Sequence, residues 1–103
     1  MAKYIFAYHG GGMPDTPEEG EKQMAAWMDW YASMGEAVVD GGAPAGMSKT
    51  VNQGGSVSDD GGSNPISGYT VVEAESHDAA VEMAKGCPIL QNGSVEVAPL
   101  MDM

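Results

Sequence analysis

His9 is the side chain best suited to moving a proton near neutral pH, because an imidazole titrates there, and a carboxylate such as Asp40 could orient it or share the proton. His9 closes the apolar run Lys3–His9, Asp40 closes Ala37–Asp40, and Tyr69 opens Tyr69–Glu75. If the first two runs are strands pointing the same way with the Tyr69 strand between them, all three residues reach one edge of the sheet. Strands two places apart lie about 9–10 Å from each other. His9 and Asp40 would then flank a small ligand, with Tyr69 between them, and would not bond directly. The glycines of 10–12 and 41–46 would rim such a site, as loops on a rigid scaffold do. Each residue also has a plainer use. His9 could be a strand-end histidine satisfied by backbone, Asp40 a turn residue bonding its own backbone, and Tyr69 a packing residue.

Other chemistries find less support. Gly10-Gly11-Gly12 sits between a strand and a helix but lacks the Gly-Lys-Ser/Thr of a phosphate loop and the spacing of a dinucleotide fingerprint. Glu18 and Glu19 at the following helix start would repel phosphate. Asp59-Asp60-Gly61-Gly62 has neither the spacing nor the terminal glutamate of a calcium loop. Cys87, the single cysteine, excludes an intrachain disulfide and a C-x-x-C metal framework. Next to Pro88 it suits a small buried hydrophobe better than a nucleophile. No metal or cofactor is expected.

The elements that must position these residues are legible in the pattern. Lys3–His9 alternates Tyr4, Phe6 and Tyr8 on one face with Ile5, Ala7 and His9 on the other. Met13 to Asp15 lead into Thr16-Pro17-Glu18-Glu19, a strong helix start: a threonine cap, proline at the first position and two acids for the helix dipole. The spacing of Met24, Trp27, Met28, Tyr31 and Met34 predicts the buried stripe, with Lys22, Asp29 and Ser33 turned away and Gly35 as C-terminal cap. Trp30 falls about 100° off that stripe, at the rim of the core or against something beyond it. From Gly41 to Gly68 the composition turns to Gly, Ser, Asn, Asp and Pro, with strand-like alternation only in Thr50–Val57. This predicts an irregular hairpin at a sheet edge. Ser76 caps a second helix of about three turns with Ala80, Met83, Ala84 and Cys87 inward, and Ser94–Ala98 forms the last strand after the turn at Gln91-Asn92-Gly93.

The order β-α-β, edge excursion, β-α-β predicts a single α+β domain over 1–103, a ferredoxin-like sandwich with two helices on one face of an antiparallel sheet. A chain of 103 residues buries only about 60–65% of its unfolded surface, so the core is modest. Two helices cover one side, yet the strands are apolar on both. A second copy of the chain is therefore expected against the open face, giving a homodimer. Fifteen acids against four lysines give a net charge of −11, which disfavours nucleic acid, anionic membranes and polyphosphates and leaves small neutral or cationic ligands. With no apolar stretch near 18 residues and no signal peptide, the expected location is the cytoplasm.

Segment by segment the chain resembles the YCII-related family of the dimeric α+β barrel superfamily. The resemblance rests on Tyr4-Ile5-Phe6, Ala26-Trp27, Val39-Asp40-Gly41-Gly42, Gly68-Tyr69 with Val72-Glu73-Ala74, and Ala84-Lys85-Gly86-Cys87-Pro88 ahead of Val95-Glu96-Val97. It implies a dimer with a cleft between helices and sheet and, for some members, a histidine–aspartate acid–base pair, with Asp40 at the aspartate position. The Arg-Pro-x-His setting of the family histidine is missing, which leaves His9 as the candidate. Asp59-Asp60-Gly61-Gly62 stands where the DGPF subgroup has its naming motif. Two functions follow as expectations. One is a cofactor-free isomerase, lyase or dehydrochlorinase using His9 and Asp40; the other is a non-catalytic small-ligand-binding or accessory dimer.

Overall fold

A computed structural model describes residues 1–11 and 15–101. Gly12 of the glycine stop, and Met13 with Pro14 of the lead into the first helix, lie outside the described residues. Strand β1 (Ala2–Gly10), helix α1 (Pro17–Met34), β2 (Val38–Pro44), a hairpin of β3 (Thr50–Val51) and β4 (Val57–Ser58), β5 (Ile66–Ala74), α2 (His77–Ala84) and β6 (Gly93–Pro99) follow in order. The main sheet runs β2-β5-β1-β6, every neighbouring pair antiparallel, with β3-β4 apart from it. Leaving out the hairpin, the spatial order is second, third, first, fourth, the ferredoxin-like arrangement.

The caps form as their chemistry requires. Thr16 accepts the Glu19 amide at 3.2 Å, and the Glu19 carboxylate reaches back to the Asp15 amide at 3.2 Å. Gly35 ends α1 at φ +55, its amide bonded to the Tyr31 carbonyl. Ser76 caps α2 by accepting the Ala79 amide at 3.0 Å. That helix spans 8 residues, shorter than its apolar pattern predicts, because the chain turns out at Lys85-Gly86 and re-enters as a 3-10 turn over Pro88–Gln91.

Both helices lie on the Tyr4, Phe6, Tyr8 face of β1, and these three rings are buried together with Val72 and Ala74 of β5. The helical stripe differs from the predicted one. Met24 and Met28 are exposed at 67% and 65%, whereas Trp30 is only 5% exposed and sits at the centre of the core. Its ring lies 5.9 Å from Phe6 and 5.4 Å from Tyr31, and its Nε1 donates to the Met83 carbonyl at 2.9 Å, which ties α1 to α2. The buried face is thus Ala26, Trp27, Trp30, Tyr31 and Met34, one residue round from the methionine stripe. Aromatic rings bury more area than thioethers, and that decides the helix rotation. The other face of the sheet, with Ile5, Ala7 and Val71 half-buried and Tyr69 and Ile66 exposed, carries no helix among the described residues.

The second strand runs past Asp40 to Pro44 because two register shifts, between Val38 and Asp40 and between Asp40 and Ala43, let Gly41-Gly42 be absorbed in the ladder. No described helix is long and apolar enough to cross a membrane.

Candidate functional site

Between α1 and the β2–β5 edge lies a cavity of about 930 Å³, walled by Met24, Trp27 and Tyr31 of the helix, Gly41–Pro44 of β2, Gly68 and Tyr69 of β5, and Tyr8 of β1. It is within the range of small-molecule sites. Its shape follows from local sequence. Gly68 stands opposite Tyr8, and a Cβ there would meet the Tyr8 ring at 3.3 Å and the Ala43 carbonyl at 3.0 Å. Glycine therefore makes room for the phenol to lie over β5, where Trp27 packs edge-on against it at 5.1 Å.

Glu21, Gln23 and Ser67 also border the cavity, and one hydrogen-bonded cluster of hydroxyls lies at its mainly apolar wall. The Tyr8 hydroxyl donates to Thr70 Oγ1 at 2.7 Å, Tyr31 Oη lies 2.9 Å from the same oxygen, and the Gly41 carbonyl is 3.1 Å from Tyr31 Oη and 3.2 Å from Thr70 Oγ1. Two of the three hydroxyls share one carbonyl. Burial pushes the Tyr8 phenol well above its ordinary range, and the bond to Thr70 offsets this only in part. Tyr8 is therefore a neutral hydrogen-bonding group, not a base, at any physiological pH. Thr70, fully buried, could have been flagged in the sequence, since it shares its strand face with Val72 and Ala74.

The residues singled out for acid–base work lie elsewhere. His9 points to the open face of the sheet, away from the cavity. Its Nε2 is 3.1 Å from Glu96 Oε1, and its Nδ1 is 3.1 Å and 3.2 Å from the carbonyls of Asn64 and Pro65. Asp40 is exposed and accepts the Gly42 amide at 2.8 Å, a turn that bends β2. The two are not bonded to each other, and neither is among the residues that line the cavity. Tyr69 does border it, as do Gly41 and Gly42. The carboxylate nearest His9 is thus Glu96, brought there by the β1–β6 register that sets Ala7 opposite Glu96. Burial pushes the Cys87 thiol up to about 11, partly offset by a backbone bond from Ile89, so it is a poor nucleophile near neutral pH. In the Asp59-Asp60-Gly61-Gly62 segment, Asp60 accepts the Gly62 amide at 3.1 Å and Asp59 is 3.9 Å from Lys49 Nζ. Among the described residues no three His, Cys, Asp or Glu side chains converge.

The family model for the YCII-related domain matches residues 1–103. The chain belongs to the YCII-related family. A comparison with curated proteins gives no match. The Val39-Asp40-Gly41-Gly42 segment borders the cavity through Gly41 and Gly42, and β2 continues the wall with Ala43 and Pro44.

Proposed function

We propose that this YCII-related chain binds a small, flat, uncharged molecule in the cleft between α1 and the β2–β5 edge, with the Tyr31 hydroxyl, held in place by Thr70 and Tyr8 behind it, as its polar anchor. The observation that carries this reading is a mainly apolar cavity with a hydrogen-bonded cluster of hydroxyls at its wall, the common form of a small-molecule site. A surface with a net charge of −11 repels anionic alternatives. Acetophenone serves as a probe, because its ring can lie on Trp27 while its carbonyl accepts from Tyr31. Titration is expected to change tryptophan emission saturably, and Tyr31→Phe to weaken binding about tenfold, in line with about 1.4 kcal/mol for a hydrogen bond lost in a dry site. Tyr31→Phe stays folded, since Thr70 still accepts from Tyr8 and donates to Gly41. Absence of saturation, or an unchanged affinity in Tyr31→Phe, would refute the reading.

Acid–base catalysis of the isomerase, lyase or dehydrochlorinase kind by His9 with Asp40 is a second reading. The carboxylate beside the His9 ring is Glu96 and not Asp40, so what supports this reading is a His9–Glu96 pair, with Glu96 in the orienting role expected of Asp40. Such chemistry would occur on the open sheet face, so His9→Ala and Asp40→Asn should leave acetophenone affinity in the cleft unchanged.

The same open face supports a homodimer. Ile5, Ala7 and Val71 form a self-complementary apolar strip that a two-fold partner would cover. Light scattering is expected to give twice the chain mass at micromolar concentration; a monomer mass at that concentration would exclude the pairing.

A further inference from the structure

We infer that Ser67 contacts the ligand, and that the ligand carries an uncharged hydrogen-bonding arm running from the apolar cleft into a second hollow beside it. This rests on the reading of the cleft given above. The second hollow, about 720 Å³, is more polar, with Lys22, Gln91 and Asn92 in its wall. It shares Gln23, Trp27, Pro44, Ser67 and Ile89 with the first, so the two form one trough along α1.

Ser67 stands at the junction because the ladder slips there. Tyr8 lies opposite Gly68 and His9 opposite Ile66, which leaves Ser67 as the extra residue of a β-bulge. Strict alternation from Tyr69 would send Ser67 to the open face. A bulge re-aims a side chain, and Ser67 instead lines both hollows on the helix side. The backbone is fixed, since the Ser67 carbonyl accepts the Ala45 amide at 2.9 Å. Its Oγ, by contrast, is buried with no hydrogen-bond partner among the described residues. A buried hydroxyl left unbonded costs stability. As it stands the Oγ has no accessible surface, so contact with a ligand requires a turn about χ1 toward the hollows, and being unbonded it would break no hydrogen bond in making that turn. The charges at the second hollow oppose each other, Lys22 against Glu19, while the remaining polar side chains are amides and the Ser67 hydroxyl. That lining suits a carboxamide rather than a carboxylate or an amine.

The test compares two probes on the full chain: acetophenone, and N-benzoylglycinamide, which adds a carboxamide arm to an aryl carbonyl. The armed probe is expected to bind at least tenfold tighter. Ser67→Ala should cut that advantage to threefold or less and leave the melting temperature unchanged or higher. Asn92→Ala, which alters only the second hollow, should reduce the advantage in the same way. Equal affinity of the two probes, an advantage that survives Ser67→Ala, or a melting temperature lowered by several degrees would each overturn the proposal. If acetophenone binds and the arm adds nothing, the cleft reading stands and this one falls; if neither probe binds, both fall.

Discussion

Trp30→Ala is expected to cost about 3–5 kcal/mol of folding stability, the range for truncating a large buried aromatic. Against the about 5–15 kcal/mol that holds an ordinary domain together, such a loss leaves little reserve. Trp30 touches Phe6 of β1, Trp27 and Tyr31 of its own helix, and the Met83 carbonyl of α2. Gly86 packs so closely that a Cβ there would lie 3.2 Å from the indole ring. The indole touches β1, α1 and α2 at once, so its removal leaves a space where all three meet. Trp30→Phe keeps part of the ring and drops the bond to Met83, so an intermediate loss of about 1–3 kcal/mol follows. Met28→Ala, two residues earlier and 65% exposed, should change stability by no more than about 0.5 kcal/mol. Urea unfolding of the three variants is the check. A Trp30→Ala midpoint close to that of Met28→Ala would mean that the helix buries its methionine face instead.

Gly42→Ala is the second large effect, about 2–5 kcal/mol, and its origin is backbone geometry. Gly42 has φ +72, where a side chain costs about 1–2 kcal/mol, and an added Cβ would overlap the Tyr69 carbonyl oxygen. Relieving that overlap means prising β2 from β5, an overpacking cost of about 1–3 kcal/mol. The neighbouring Gly41 has open space around the same position. Gly41→Ala is therefore expected to stay within about 1 kcal/mol of the parent. Equal midpoints for the two alanine variants would show that the β2 bulge has no need of glycine. Because Gly42 also borders the cleft, its replacement should weaken acetophenone binding along with folding.

The strands and caps were legible because their signals are local. Alternation in Lys3–His9 names the face that α1 covers, and Thr16-Pro17 and Ser76 mark helix starts without reference to the rest of the chain. The rotation of α1 was less legible. Two stripes with the same three-and-four spacing overlap in this helix and share Trp27, Tyr31 and Met34; counting apolar residues does not separate them, whereas weighing ring area favours Trp30. At the site, the sequence drew attention to His9, Asp40 and Tyr69 through their position at strand ends. It did not reveal the hydroxyl cluster, because Tyr8 and Tyr31 count as apolar in a periodicity argument and Thr70 is an ordinary strand residue. Glu96 and Ser67 were out of reach for a different reason. The partner of His9 depends on the β1–β6 register, and the aim of Ser67 on a slip in the β1–β5 ladder, neither of which a period-two pattern records.

The shared Gly41 carbonyl leaves the cluster with two ways of ordering its protons. In one, Tyr8 and Tyr31 both donate to Thr70 and Thr70 donates to Gly41; in the other, the protons run in series from Tyr8 through Thr70 and Tyr31 to Gly41. Every O–H is satisfied in both, so the choice between them costs little. In either ordering Tyr31 keeps a lone pair with which to accept from a guest; in the first it can also turn its proton from Thr70 to a guest, because Thr70 still accepts from Tyr8 and donates to Gly41, and neither change moves a heavy atom. A keto form and its enol tautomer would be held by the same walls in the same place.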